Sequence, residues 1–304
     1  MISSIEIRRF RGIRRGKLEN LTPLTILVGP NGCGKSSVLD ALLIGASENP
    51  QDAMQRVVQR HPGVTGGTRW FMWRAKTADP ALVQVTTDAG ATRKCKLELP
   101  GPTSLSCRAV DPGKVTFEGV KEIRLLGPHG FGKQVPLYEL YAQTVQQGRR
   151  NDANAIIGHV VPGMDHLEIL TEGDTPVLHL VYEDHSVPVA LSGDGVHALV
   201  RQCLELASRP EGVVLFEEPE VHQHPGAIWQ TARAILAAVR RDIQVILSTH
   251  SLEMIDAVVA ESSEEDVAKL SLYRLELENG KLITVRHEGS EVEFSRCQVE
   301  KDLR

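Results

Sequence analysis

An α/β fold built on a mixed β-sheet is what this 304-residue sequence predicts, and three observations predict it. A short apolar run, Leu24 to Val28 (LTILV), enters a glycine-rich loop and leaves it as the helix-forming stretch VLDALLIGA. A second run, Val213 to Phe216, stops at the acidic tip Glu217-Glu218-Pro219-Glu220. A third, Ile243 to Leu247, runs into Ser248-Thr249-His250-Ser251. Runs this short and almost uniformly apolar predict strands buried on both faces, with helices covering them.

The composition permits such a core. Hydrophobic residues make up 41% and charged residues 24%, and the 26 glycines and 16 prolines are spread along the chain. No internal repeat is visible. With 34 basic against 39 acidic residues the net charge is −5, which excludes a protein that coats nucleic acid through bulk charge. A basic run (Arg8, Arg9, Arg11, Arg14, Arg15, Lys17) and an acidic cluster (Glu261, Glu264, Glu265, Asp266) read as two solvated surfaces. No stretch approaches the ~18 consecutive apolar residues of a membrane span, and the start MISSIEIRRFRG lacks the apolar centre of a signal peptide, which predicts a cytoplasmic location. The cysteines Cys33, Cys95, Cys107, Cys203 and Cys297 are odd in number and never spaced C-x-x-C, so reduced thiols are expected.

After the first strand, Gly29-Pro30-Asn31-Gly32-Cys33-Gly34-Lys35-Ser36-Ser37 is a complete G-x-x-x-x-G-K-S phosphate loop. Glycines let the backbone curl its N–H groups around a phosphate, Lys35 neutralises the outer oxygens, and Ser36 offers a hydroxyl to Mg²⁺. The strand, loop and helix stand in the required order. Cys33 invites a redox switch, but a small side chain at a variable loop position explains it as well.

The tip of the second strand supplies carboxylates. By position, Glu217 is assigned to metal and Glu218 to orienting or deprotonating an attacking water. His250 follows the third strand, where it could touch a γ-phosphate; alone, such a histidine is more often structural. Leu191-Ser192-Gly193-Asp194-Gly195 precedes a helix with apolar Val196, Leu199, Val200, Cys203, Leu204 and Ala207. A hydroxyl and glycine N–H groups at a helix start suit an anion, although a serine N-cap explains the same residues.

GPNGCGKSS, LSGDG, VVLFEEPE and STHS, in that order, resemble a P-loop NTPase of the ATP-binding-cassette (ABC-ATPase) type, and more narrowly the soluble SMC/RecF/OLD branch. The resemblance covers residues 1–46 and 190–256 well and 47–189 poorly. It implies an ABC-ATPase-like head using ATP and Mg²⁺, with Ser192, Gly193 and Gly195 of one subunit meeting the γ-phosphate held by another in a head-to-tail homodimer. The family usually has Asp where this chain has Glu217; the extra methylene moves the carboxylate about 1.5 Å, so water-mediated metal binding suits it better than direct contact. Gln134 and Gln143 are the candidates for the family's Q-loop glutamine. His222, His224 and His250 are not read as zinc ligands, because EVHQHP falls where the family places a dimer-facing loop.

The expected organisation is one ABC-type domain over 1–304, with 1–46 and 190–260 as nucleotide-binding core, 47–189 as an inserted β-rich and helical lobe, and 261–304 as a hairpin and tail. Short strands are expected over 64–126, broken at Pro100-Gly101-Pro102 and Asp111-Pro112-Gly113, and a helical segment over about 137–158. Sustained heptads are absent, so no coiled-coil arm is expected. Arg69-Trp70-Phe71-Met72-Trp73-Arg74 reads as a strand buried on both faces or as a surface for stacking bases or docking a partner. LYRLELENGKLITVR predicts a hairpin turning at Asn279-Gly280, and no D-x-D motif exists for a Toprim nuclease. The resemblance therefore implies an ATPase switch acting on a separate effector, as in stand-alone ATPase subunits of antiphage systems such as Septu and PARIS. A RecF-like clamp on duplex DNA is the alternative, and a transporter subunit ranks last because LSGGQ is missing.

Overall fold

The computed structural model describes residues 1–61, 68–76, 78–101, 105–110, 117, 119–120, 122–127 and 134–304. The expected breaks at Pro102 and at Asp111-Pro112-Gly113 lie outside them. The chain begins with the hairpin β1 (Ile2–Phe10) and β2 (Ile13–Glu19), then β3 (Leu24–Val28), α1 (Lys35–Ala46) and α2 (Pro50–Gln59). β4 (Ala81–Thr87), β5 (Thr92–Glu98), β6 (Ser106–Val110) and β7 (Ile123–Leu126) precede α3 (Leu137–Gln146) and α4 (Arg150–Gly158). A small antiparallel sheet follows, β8 (His166–Glu172), β9 (Thr175–Val181) and β10 (Ser186–Pro188), and then α5 (Asp194–Ala207). β11 (Val213–Glu217), α6 (Pro225–Val239), β12 (Gln244–Ser248), α7 (Leu252–Glu261) and α8 (Glu264–Ala268) lead to β13 (Leu270–Glu278), β14 (Lys281–Glu288) and α9 (Gly289–Cys297).

Eleven strands among the described residues form one mixed sheet in the order β6-β5-β4-β1-β2-β14-β13-β3-β12-β11-β7. Five neighbours, β13, β3, β12, β11 and β7, run parallel and end at one edge. Successive residues of the three apolar runs belong to opposite clusters. Ile26, Val214, Phe216, Val245 and Leu247 pack with α6 and α7 residues, whereas Leu27, Val213, Leu215 and Ile246 pack with α1 and the β1–β2 hairpin. Burial on both faces is why these strands carry almost no polar residues.

Segment 47–189 contributes to two places. β1 has a free edge, and β4 takes it in antiparallel register from Ile2↔Thr87 to Arg8↔Leu82, so β4 to β6 extend the main sheet. α3, α4, β8 and β9 instead share a third apolar cluster with α5, centred on Leu140, Ile157, Leu167, Leu180, Val200 and Leu204. The helical segment expected over 137–158 is two helices, divided where Gly148 takes φ +70. The longest described helix, α6, has 15 residues, and no coiled-coil arm is formed among the described residues. No described helix is long and apolar enough to cross a membrane.

Two expectations need correction. Arg69–Arg74 is not a strand: it forms two 3-10 turns, Thr68–Phe71 and Trp73–Ala75, because Arg74 and Ala75 take left-handed φ (+55 and +54) that extended backbone does not allow. Phe71 and Met72 are buried, Trp70 is 58% exposed, and the Arg74 guanidinium lies 4.5 Å from the Trp73 ring centre. The acidic cluster is also not wholly solvated. Asp266 is buried in a reciprocal capping box with Ser263 at the start of α8, and Arg240 donates to its carboxylate at 2.6 Å. All five cysteines are free thiols. The β13–β14 turn falls at Asn279-Gly280, both at positive φ, as a type I′ hairpin requires.

Burial alone would raise the Asp266 carboxyl, but Arg240 and the Ser263 donors outweigh it and hold it at about 2. A folded-state pKa below the unfolded 3.8 stabilises the protein at neutral pH, and that contribution is lost as pH falls toward 2. Asp266→Ala should therefore cost about 1–2 kcal/mol at pH 7, and the gap to the parent should close in acid. Urea denaturation of both proteins across that pH range measures it.

Candidate functional site

The phosphate loop is shaped by its glycines. Gly29 takes φ +138, and a Cβ there would lie 2.3 Å from the Leu275 carbonyl oxygen, so no side chain fits. Gly32 and Gly34 also take positive φ, +78 and +102, and Gly34 starts α1 without a capping side chain, which leaves the helix N-terminus open to an anion. Asn31 and Gly32 are exposed, while Cys33 and Ser37 are buried and Ser36 is half-buried. Cys33 packs behind the loop, its Sγ 3.8 Å from Lys35 Nζ, as a small interior residue.

Lys35 folds back on its own loop. Its buried ammonium donates to the carbonyls of Gly29 at 2.8 Å and Pro30 at 3.3 Å. Burial pushes its pKa below the ordinary lysine value, against the opposing pull of Cys33, Glu218 and Glu217. An anion in the loop would replace weak carbonyl acceptors with a charge-assisted partner.

The parallel register delivers the other groups to the same edge. Leu27 pairs with Ser248, and Ser248 with Glu217. Glu218 takes φ +49 while its N–H donates to the Ser248 carbonyl at 2.9 Å, so the chain leaves β11 through a left-handed kink. That kink brings Glu218 Oε1 to 3.5 Å from His250 Nε2, both side chains being about a third exposed (35% and 36%). Burial, Lys35 and Arg304 lower the His250 pKa against the pull of Glu218, which favours the uncharged ring. Glu217, in contrast, is held by Arg60, whose guanidinium also reaches the fully buried Asp40 of α1 at 2.5 Å.

Four residues of this site escaped the sequence analysis. Arg60 and Asp40 lie in stretches that carry no motif of their own. Glu220 was visible only as part of EEPE. Its Oε1 accepts from Thr249 Oγ1 at 2.5 Å and from the His250 N–H at 3.1 Å, so it fixes the loop that carries His250. Arg304 donates to the His250 carbonyl at 3.0 Å.

Ser192, Gly193 and Gly195 sit at the start of α5, but Ser192 does not cap it. Gly193 is the N-cap, at φ +89, and the Ser192 hydroxyl donates to the Val189 carbonyl at 2.6 Å. Gly195 lies against the His222 carbonyl, where a Cβ would come within 2.9 Å. Leu191, just before it, is 76% exposed. A cavity of about 380 Å³ between α5, β7 and β11 is lined by Glu217, Glu218, His197, Arg201 and His222, and also by Gln134. Of the two Q-loop candidates, Gln134 therefore lines the same cavity as the carboxylates, and Gln143 is exposed on α3. His224 caps α6, its Nδ1 accepting from the Gly226 N–H at 3.2 Å.

The donor set fits a nucleotide with Mg²⁺. A glycine-lined helix N-terminus and a retracted ammonium suit phosphates, and the Ser36 hydroxyl with the Glu217 carboxylate are hard oxygen donors. No group of three or more His, Cys, Asp or Glu gathers as a metal cage among the described residues.

Burial raises the Glu220 carboxyl, and its buried Oε2 has no hydrogen-bond partner among the described residues. Such an acid costs least when protonated, so its burden grows as pH rises above the ordinary carboxylate range. Glu220→Gln keeps an acceptor for Thr249 and His250 and removes the charge; it should equal or exceed the parent in stability at pH 8. Glu220→Ala leaves two donors unmet and should lose about 1–3 kcal/mol. Thermal melts of the three proteins distinguish these outcomes.

The AAA ATPase domain family matches residues 1–84 and 139–255. An uncharacterised protein of Methanocaldococcus jannaschii is 52% identical over 44 residues, 14% of this chain and 20% of its own length. An "ATP/GTP phosphatase" of Helicobacter pylori is 40% identical over 97 residues, 30% of this chain and 26% of its own. The chain thus spans about a fifth to a quarter of these relatives. Among solved structures, the SMC head domain of Thermotoga maritima is similar at TM-score 0.53 and 17% identity, covering 94% of this chain and 99% of that one. An Smc head of Pyrococcus furiosus, with an extended coiled coil and bound to the C-terminal domain of ScpA, is similar at TM-score 0.62 and 13% identity, covering 99% of both chains. These identities show a shared fold alone.

Proposed function

The chain belongs to the AAA ATPase domain family, and from that premise we propose that it binds and hydrolyses ATP as a switch that controls a separate effector protein. The observation that carries this reading is the convergence of Lys35, Glu218 and His250 at one edge of the sheet.

In this reading the loop N–H groups and Lys35 hold the β- and γ-phosphates, and Lys35 exchanges the Gly29 and Pro30 carbonyls for phosphate oxygens. Ser36, and Glu217 through water, would hold Mg²⁺, which would supply charge neutralisation on the phosphates. Glu218 accepts a hydrogen bond and then a proton from the attacking water. His250 donates toward the γ-phosphate, and Glu220 keeps its loop in place.

Ser192, Gly193 and Gly195 complete the site of a second copy. The exposed Leu191 beside them and the uncapped glycine start of α5 favour that use over a purely structural one. A head-to-tail homodimer would close on ATP and open on hydrolysis. The partner-bound Smc head of related fold supports a head that works through another protein. We place the effector among nuclease-type proteins of antiphage systems, by analogy with OLD-like ATPase subunits. Direct gripping of duplex DNA is less favoured. Arg8 pairs with Glu6, Arg9 with Asp79, Lys17 with Glu19 and Arg11 with buried Asp40, so four of the six residues of the basic run are paired within the chain.

Glu218→Gln should bind Mg-ATP yet hydrolyse it at least about 100-fold more slowly, and should accumulate an ATP-dependent dimer by native mass measurement. Ser192→Arg should bind ATP as a monomer and lose turnover. Parent-like turnover in Glu218→Gln would remove that residue from the role, and in Ser192→Arg would rule out the shared site.

A further inference from the structure

Glu217 stands where the family resemblance implies a shorter Asp, and the structure holds this longer side chain in a particular way. Arg60, the C-cap of α2, is nearly fully buried, its side chain 3% exposed. One arm of its guanidinium donates to Asp40 Oδ1 at 2.5 Å and the other to Glu217 Oε2. Asp40 lies in α1, the helix that begins with Lys35 and Ser36, and its second oxygen is held by Arg11. Two guanidinium groups and two carboxylates thus form one continuous network running from the phosphate-loop helix to the tip of β11.

His61 Nε2 also lies 3.6 Å from Asp40 Oδ2, and it is the geometry of Arg60 that joins the two carboxylates. A planar guanidinium presents donors at fixed angles and bridges two carboxylates at once; an ammonium is a point charge on a flexible stem and does not fix both. Arg60 holds Oε2 of Glu217, and among the described residues no hydrogen bond to its other oxygen is seen, so the carboxylate is pinned at one oxygen despite the extra methylene of Glu.

We infer that Arg60 is a positioning residue for Glu217: by tying Oε2 to Asp40 it leaves a single oriented oxygen for the metal's hydration shell, and so sets Mg²⁺ affinity in the nucleotide complex. This rests on the reading of Glu217 as the carboxylate that serves the metal. Arg60 touches neither nucleotide nor metal in this role. Outer partners that orient a metal-binding carboxylate typically change metal affinity by about 10- to 100-fold when they are altered.

The test uses the full chain and a fluorescent ATP analogue, titrated with Mg²⁺ and also measured in excess EDTA. Arg60→Lys should raise the half-saturating Mg²⁺ concentration about tenfold while changing metal-free nucleotide affinity less than twofold. Asp40→Asn, which loosens the anchor without touching Glu217, should shift it in the same direction, and replaces Arg60→Lys as the deciding variant if that protein fails to fold. A purely structural arginine would lower the melting temperature and leave the Mg²⁺ dependence where it was; that result overturns the inference. Glu217→Gln separates the two levels. If it weakens Mg²⁺ dependence and Arg60→Lys does not, Arg60 is not the positioning residue. If Glu217→Gln changes nothing, the metal reading of Glu217 falls and this inference with it. In the double variant Arg60→Lys/Glu217→Gln, the Mg²⁺ shift should equal that of Glu217→Gln alone; an additive shift would mean that Arg60 acts elsewhere.

Discussion

Parallel pairing of β3, β12 and β11 is the constraint on which the rest of the molecule depends. Because Leu27 stands opposite Ser248 and Ser248 opposite Glu217, three chain reversals occur side by side at one edge of the sheet. The phosphate loop, the acidic tip and the loop carrying His250 are therefore neighbours without any long side chain having to reach. A slip of one residue in any of these pairings would exchange the two buried faces of a strand, moving residues such as Phe216 and Leu247 into the α1 side of the sheet and emptying the α6–α7 side. Registry is thus fixed by the hydrophobic core, and the site inherits its geometry from that core.

Charge is concentrated at this edge and is managed by pairing. Lys35 lies on backbone carbonyls, Glu217 on Arg60, Glu218 near His250, and Glu220 on the Thr249 hydroxyl and the His250 N–H. The carbonyl partners of Lys35 are ones that phosphate oxygens can replace at modest cost, whereas Arg60 ties Glu217 to the deeper Asp40, which serves as the fixed reference. The left-handed backbone of Glu218 and of His222 is consistent with strain held at a working site.

The most local features were the most legible in the sequence. The phosphate loop, the EEPE tip and STHS are each contiguous, and the flanking apolar runs announced buried strands because almost no polar residue occurs on either face. Helix α5 was legible from its apolar spacing, although Gly193 rather than Ser192 proved to be its cap. What remained hidden depends on long-range pairing. Arg60 is 157 residues from Glu217, and nothing in the neighbouring sequence marks either as the other's partner. That β4 joins β1 follows from a free backbone edge, which carries no side-chain signal. Arg69–Arg74 misled as a strand because an exposed Trp70 stands directly beside the buried pair Phe71 and Met72, and the chain then turns at the positive-φ residues Arg74 and Ala75. Asp266 looked like solvated surface because a capping box uses the same residue types as an exposed acidic stretch.

Equilibrium binding of ATP to the parent and to Lys35→Ala, by calorimetry in the presence of Mg²⁺, tests the central claim most directly. Saturable binding by the parent, with one nucleotide per chain, and at least tenfold weaker binding by a folded Lys35→Ala are the expected result. Equal affinity in the two proteins, or no binding by the parent, would contradict the assignment of this loop as the nucleotide site.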